Sequence, residues 1–199
     1  QYVVLNHSAA ASATVTPASG FVQISASTID TNIGRLVLYE RVLTGTTGDT
    51  TQTFNFSTSV VGVAGSFTVR GTRADLQRNA STQSNYLLTA APPSVTITVP
   101  SSLVVSIVGS GNWSRSQTPG ADIAVELIDN WPADGPSLAI GAKWVDAGTH
   151  SLASWSPADP DTPGSEAGDF WRLITLGFVP IVGGGGGGTS VIGSGAWAY

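Results

Sequence analysis

The 199 residues carry 13 acidic and 8 basic side chains, a net charge of −5, and neither cysteine nor methionine. Charged residues make up 11% against about a quarter in an average domain, and no basic cluster occurs, which excludes a nucleic-acid surface. Without cysteine there are no disulfides or thiolate metal sites, so stability has to come from packing, and a chain of this size can bury such a core.

In chain order the elements read as strands. Gln1 runs directly into "YVVL", which has the look of a strand's middle, so residues upstream are expected to be missing. Then come "RLVLYERV" (35–42), "TFNFS" (53–57), "GSFTVRG" (65–71), "SVTITV" (94–99), "SLVVSIVG" (102–109), "DIAVELI" (122–128), "SLAIGAKWV" (137–145) and "WRLITLGFV" (171–179). All are short runs rich in β-branched and aromatic residues, bounded by Gly, Pro, Asn, Asp and Ser. In 35–42, Leu36, Leu38 and Glu40 alternate with Arg35, Val37 and Tyr39, as in a strand with one buried face. The stretch 72–81, "TRADLQRNAS", is the one candidate for a turn of helix. No apolar run reaches the roughly 20 residues of a membrane span, so no membrane insertion is expected.

The chain also repeats itself. From Thr16 and from Thr118 it follows one plan: a Thr-Pro start, a strand, a polar loop, and an apolar strand ending in a basic residue. Thr16 and Thr118, Leu36 and Leu138, Leu38 and Ile140, and Arg41 and Lys143 are all 102 positions apart. "QYVVLNHS" mirrors "SLVVSIVGS" to within a residue, and "SVVGVAGSFTVRG" mirrors "DFWRLITLGFV" in position. "PPSVTITVPS" precedes the second copy without a counterpart before the first, which again supports a missing N-terminal strand. Each copy is too small to bury a face alone. The expected fold is therefore an all-β antiparallel, jelly-roll-like sandwich over 1–182, with repeated halves at about 1–90 and 91–182. A glycine linker (183–188) and a tail (189–199) follow.

The ending "GGGGGGTSVIGSGAWAY" joins six glycines, which lose the most backbone entropy on ordering, to an apolar, aromatic close. The tail is expected to dock on a partner, with Val191 and Ile192 adding to a sheet edge and Trp197 and Tyr199 filling pockets. Among the other tryptophans, Trp113 beside Arg115 and Trp131 beside Asn130 are the candidate ligand contacts, since rings on polar loops stack on sugars or enter a partner's pocket. Trp144, Trp155 and Trp171 are expected in the core or at its rim.

Catalytic patterns are lacking. His7 and His150 fit no metal spacing and read as polar strand-end or loop residues. Asp146, His150 and Ser151 lie close in sequence, but no nucleophile elbow frames the serine. Asp159, Asp161 and Gly164 match the first, third and sixth positions of a calcium loop, while Pro163 and Phe170 break its fifth and twelfth. Four Asn-x-Ser sequons, at Asn6, Asn55, Asn79 and Asn112, follow from the abundance of serine. No enzyme, metal or cofactor is expected.

The Thr-Pro-x-x-Gly-aromatic turn from Thr16 to Phe21, the "TVRG" strand end, and the strand order around them resemble the β-sandwich domains of bacteriophage virion proteins. The likeness is to minor tail, fibre and head-fibre proteins of phages with actinobacterial hosts. It spans about residues 1–180, and the second copy departs from it at Ala121, near the place of Phe21. The resemblance implies a structural or adhesive protein of the virion, with other virion subunits as partners and host-surface glycan as a further one. It implies a homo-oligomer, a trimer if the protein belongs to a fibre. The competing reading is a carbohydrate-binding or adhesive module of a secreted bacterial protein.

Overall fold

The structure is a computed structural model that describes residues 1–8, 13–24, 29–31, 34–43, 51–69, 77–83, 89, 91–110, 117–118, 124–130, 136–157, 171–180 and 195–198. Its strands are β1 (Tyr2–Ser8), β2 (Val15–Thr16), β3 (Val22–Gln23), β4 (Ile29–Thr31), β5 (Gly34–Glu40), β6 (Asn55–Phe56), β7 (Val61–Phe67), β8 (Gln77–Gln83) and β9 (Val95–Ile97). The remainder are β10 (Ser102–Ser110), β11 (Gln117–Thr118), β12 (Ala124–Asn130), β13 (Ser137–Val145), β14 (Gly148–His150), β15 (Ser156–Pro157), β16 (Trp171–Phe178) and β17 (Gly195–Ala198). Among the described residues there is no helix, and the sheets are antiparallel, so the fold is all-β as the sequence reads. The end of the stretch read as a candidate helical turn belongs instead to β8, and residues 72–76 lie outside the described residues. Residues 77–83 pair along β16 from Gly177 to Trp171, and that ladder outweighs a weak local preference.

Two large sheets dominate. The first runs β17-β7-β1-β5, with β3 and β4 both on the far side of β5; the second runs β12-β13-β10-β16-β8. Three small ribbons, β2 with β6, β11 with β15, and β9 with β14, complete the set. β1 and β10 are the central strands, and this explains their near-continuous apolar sequences: with neighbours on both sides and cover on both faces, alternation has no solvent side to serve.

The largest buried cluster takes side chains from both sheets. Val4, Leu36, Leu38, Val63 and Phe67 come from the first; Val105, Ile107, Leu138, Ile140, Ile174, Leu176 and Phe178 are among those from the second. β13 lies against β7, and β16 against β5. Each sheet also buries its other face. Val3, Leu5, Val37 and Tyr39 pack with Phe21, Phe54 and Phe56 on the first, and Val104, Val108 and Leu173 pack with Trp155, Val95 and Ile97 on the second. The expectation of one buried face on 35–42 is therefore corrected: Leu36 and Leu38 point one way, Val37 and Tyr39 the other, and all four are buried.

Trp155 and Trp171 are buried as expected, and Trp155 Nε1 donates to Ser106 Oγ at 3.0 Å. Trp144 is the exception and is 56% exposed. It lies next to the end of β13, paired with Leu103 near the start of β10.

Several pairs in the two sheets are spaced alike along the chain, although Leu36 pairs with Ile29 and Leu138 with Asp129, a step of 100 after the bulge in β12. Val4 faces Leu38, and Ile107 faces Ile140. Val22 faces Glu40, and Ala124 faces Ala142, a step of 102 residues on both strands. Val15 pairs with Phe56, and Gln117 with Pro157. Gly62 stands opposite His7, and Trp171 opposite Ser110. Finally β8, which follows β7 in the chain, pairs with β16, while β17, which follows β16, pairs with β7.

Candidate functional site

On the face of the first sheet turned away from the shared core, the strip 52–60 packs through Phe54 and Phe56 and leaves a space beside them. A cavity of about 550 Å³ remains between that strip and strands β1 and β7. This lies within the range of ligand-binding clefts, about 300–1,000 Å³.

Strand alternation supplies the floor. Val3, Leu5 and His7 rise from β1, and Gly62, Ala64 and Ser66 stand opposite them on β7. Phe54 and Phe56 form an aromatic wall, with Gln52, Asn55, Thr58 and Ser59 at the rim. No Asp, Glu, Lys or Arg side chain is among the described residues that line it. The site therefore offers apolar contact and neutral hydrogen-bonding groups.

His7 is placed by its strand. It is 1% exposed, and its ring meets the edge of Phe56 with centroids 5.2 Å apart. His7 stands one residue from the end of β1, as its reading as a strand-end residue has it, and it is buried against this cavity. A Cβ on Gly62 would come within 2.9 Å of the His7 Cβ, so glycine at 62 makes room for the histidine. At the other end of the outer face, burial raises the Tyr39 phenol above its ordinary value, with the Arg35 charge opposing the shift.

Behind the floor lies a polar link between the sheets. Asn6 is fully buried, and its Nδ2 donates to the carbonyl oxygens of Ser110, at 2.8 Å, and Ser137, at 2.7 Å. Arg172 Nη1 donates to Asn6 Oδ1 at 3.0 Å. Gly109 permits this, since a Cβ there would lie 2.8 Å from the Asn6 side chain. These groups hydrogen-bond across the two sheets and act as a structural clasp.

Trp113, Arg115 and Trp131 lie outside the described residues, as does the acidic stretch 159–169. Asn130 closes β12, with its backbone paired to Ser137. Val191, Ile192 and Tyr199 also lie outside, whereas Trp197 belongs to β17 with its backbone opposite Ala64, one of the cavity's lining residues. The edge strand is formed by residues 195–198 on this chain's own β7. His150 sits on β14 with its Nε2 2.8 Å from the Asp146 carbonyl oxygen. Among the described residues no three His, Cys, Asp or Glu side chains gather as a metal site.

The cavity was not visible to a search for chemical motifs because its residues carry none. The available signal was the small-residue series Gly62, Ala64 and Ser66, where the mirrored strand carries Trp171, Leu173 and Thr175. Comparison of the chain with protein-family models, with curated proteins and with solved structures gives no significant match.

Proposed function

We propose that the protein is a structural component of a bacteriophage virion, a tail, fibre or head-surface protein folded as a β-sandwich of two repeated halves. The observation that carries this reading is the exchange of closing strands. In each half a first strand lies between the second and third (β1 between β5 and β7, β10 between β13 and β16), and the strand that follows the third leaves to complete the other sheet. Equivalent pairs keep a constant step along β1 with β10, β5 with β13, and β7 with β16, while β12 departs from it after its bulge between Val125 and Leu127. Strand exchange ties two sheets into one unit without disulfides, and strand addition to an edge is a general means of joining protein subunits. The role in a virion rests on the turn and strand-end motifs that resemble phage β-sandwich proteins.

The test is mass spectrometry of purified particles of the phage that carries the gene. The chain should be present at a fixed copy number per particle, and its absence from intact particles would end the proposal. Sedimentation of the isolated protein should show a homo-oligomer, a trimer for a fibre component.

The cavity favours a second reading, an adhesive or carbohydrate-binding module of a secreted bacterial protein, because its neutral polar rim and aromatic wall suit an uncharged ligand. That reading predicts a monomer that binds glycan on an array.

A further inference from the structure

The cavity of the first half occupies a place that the second half fills. Gly62, Ala64 and Ser66 of β7 hold the pairing positions that Trp171, Leu173 and Thr175 hold on β16. In the second half Trp171 and Leu173 are buried, and what covers them includes β9. Val95 and Ile97 share their cluster, and β9 lies against both β16 and β8. Over the first half, no described strand takes that place.

We propose that the cavity is a docking groove for an extended β-strand, the first-half counterpart of β9, carrying large apolar side chains at alternate positions. The inference rests on the reading of the chain as two repeated halves. Three observations define the occupant. Its backbone is extended because β9 is a strand in the equivalent place. Its inward side chains are uncharged and apolar because Val3, Leu5, Phe54 and Phe56 surround them, and no described lining residue has an Asp, Glu, Lys or Arg side chain. They are larger than Val95 and Ile97 because glycine and alanine stand where the second half has tryptophan and leucine, and close packing requires that the volume be supplied from the other side.

β9 is also held by pairing with β14, and the positions 102 residues before β14, 46–48, lie outside the described residues.

The full chain, isotope-labelled, is titrated with three peptides: residues 92–100 (PPSVTITVP), the same peptide with Val95→Phe and Ile97→Phe, and the same with Val95→Thr and Ile97→Thr. The Phe peptide should bind saturably and shift the resonances of Leu5, His7 and Ala64, the native peptide should bind about tenfold more weakly, and the Thr peptide should not bind below about millimolar concentration. Ala64→Phe, or Ser66→Phe if the first variant does not fold, should weaken the Phe peptide at least about tenfold by filling the groove, and Val22→Thr should leave binding unchanged. The proposal is overturned if no peptide shifts the groove residues, if the shifts lie elsewhere, or if the Thr peptide binds as well as the Phe peptide. Those failures leave the copy number in virions unaffected, so the two proposals fall separately.

Discussion

Arg172 donates from Nη1 to Oδ1 of Asn6 across 3.0 Å, and neither side chain reaches solvent. Asn6 passes the link on through its amide to the carbonyl oxygens of Ser110 and Ser137. Asn6→Ala strands two buried acceptors and takes an acceptor from a buried guanidinium. The expected cost is about 3 kcal/mol or more, because an unmatched buried polar group loses its full solvation. Urea denaturation measures it; a loss under about 1 kcal/mol would mean that water or neighbouring groups replace the amide.

Leu38 and Ile140 stand at the same step in the two sheets and are 0% and 1% exposed. Replacing either by Asp buries a charge with no counter-ion designed for it, and each substitution should cost about 4 kcal/mol or more. The costs should match more closely than those of two unrelated core sites. A mild effect at one position and unfolding at the other would argue against equivalence of the halves.

Trp155 fills the outer face of the second sheet and donates to Ser106 Oγ. Trp155→Phe keeps a ring but leaves that hydroxyl without its donor and opens a void. A loss of about 2 kcal/mol is expected in the denaturation midpoint, from the hydrogen bond and the missing ring atoms together.

Burial holds the Tyr39 phenol above its ordinary value of 10.0, against the pull of Arg35. A group whose folded pKa is raised stabilises the fold fully below the unfolded value and loses that contribution as pH rises through the folded value. Stability should therefore fall from about pH 10 upward, and less steeply in Tyr39→Phe, which has no phenol to ionise. Parallel denaturation curves of the two proteins across this range would refute the assignment.

β17 covers the edge of β7 with the four residues 195–198. Truncation after Gly183 removes that cover and leaves the shared core intact. Amide exchange should accelerate at residues 63–66 and stay slow in β10, while the melting temperature changes little. Unchanged exchange at 63–66 would show that the strand does not protect the edge.

The sequence by itself determined the all-β antiparallel class, the places of the long strands β1, β5, β10, β13 and β16, and the burial of Leu36, Leu38, Leu138 and Ile140. These follow from local properties: β-branched content, turn residues, and a constant spacing that any reader of one chain can count. The run read at 65–71, by contrast, meets β7 only at its end, and β3, β4, β8 and β14 have no counterpart in that reading. Only the tertiary structure decided the rest. The face that Val37 and Tyr39 present is buried because Phe21 and Phe54, distant in sequence, fold over it. Trp144 is exposed where the ladder of β10 and β13 ends, and 77–83 is a strand because β16 offers it an edge. The cavity has the same cause. Gly62 and Ala64 look like ordinary small strand residues until pairing sets them opposite His7 and Leu5, while the second sheet has Trp171 and Leu173 opposite Ser110 and Val108, for a void is a relation between surfaces brought together from distant parts of the chain.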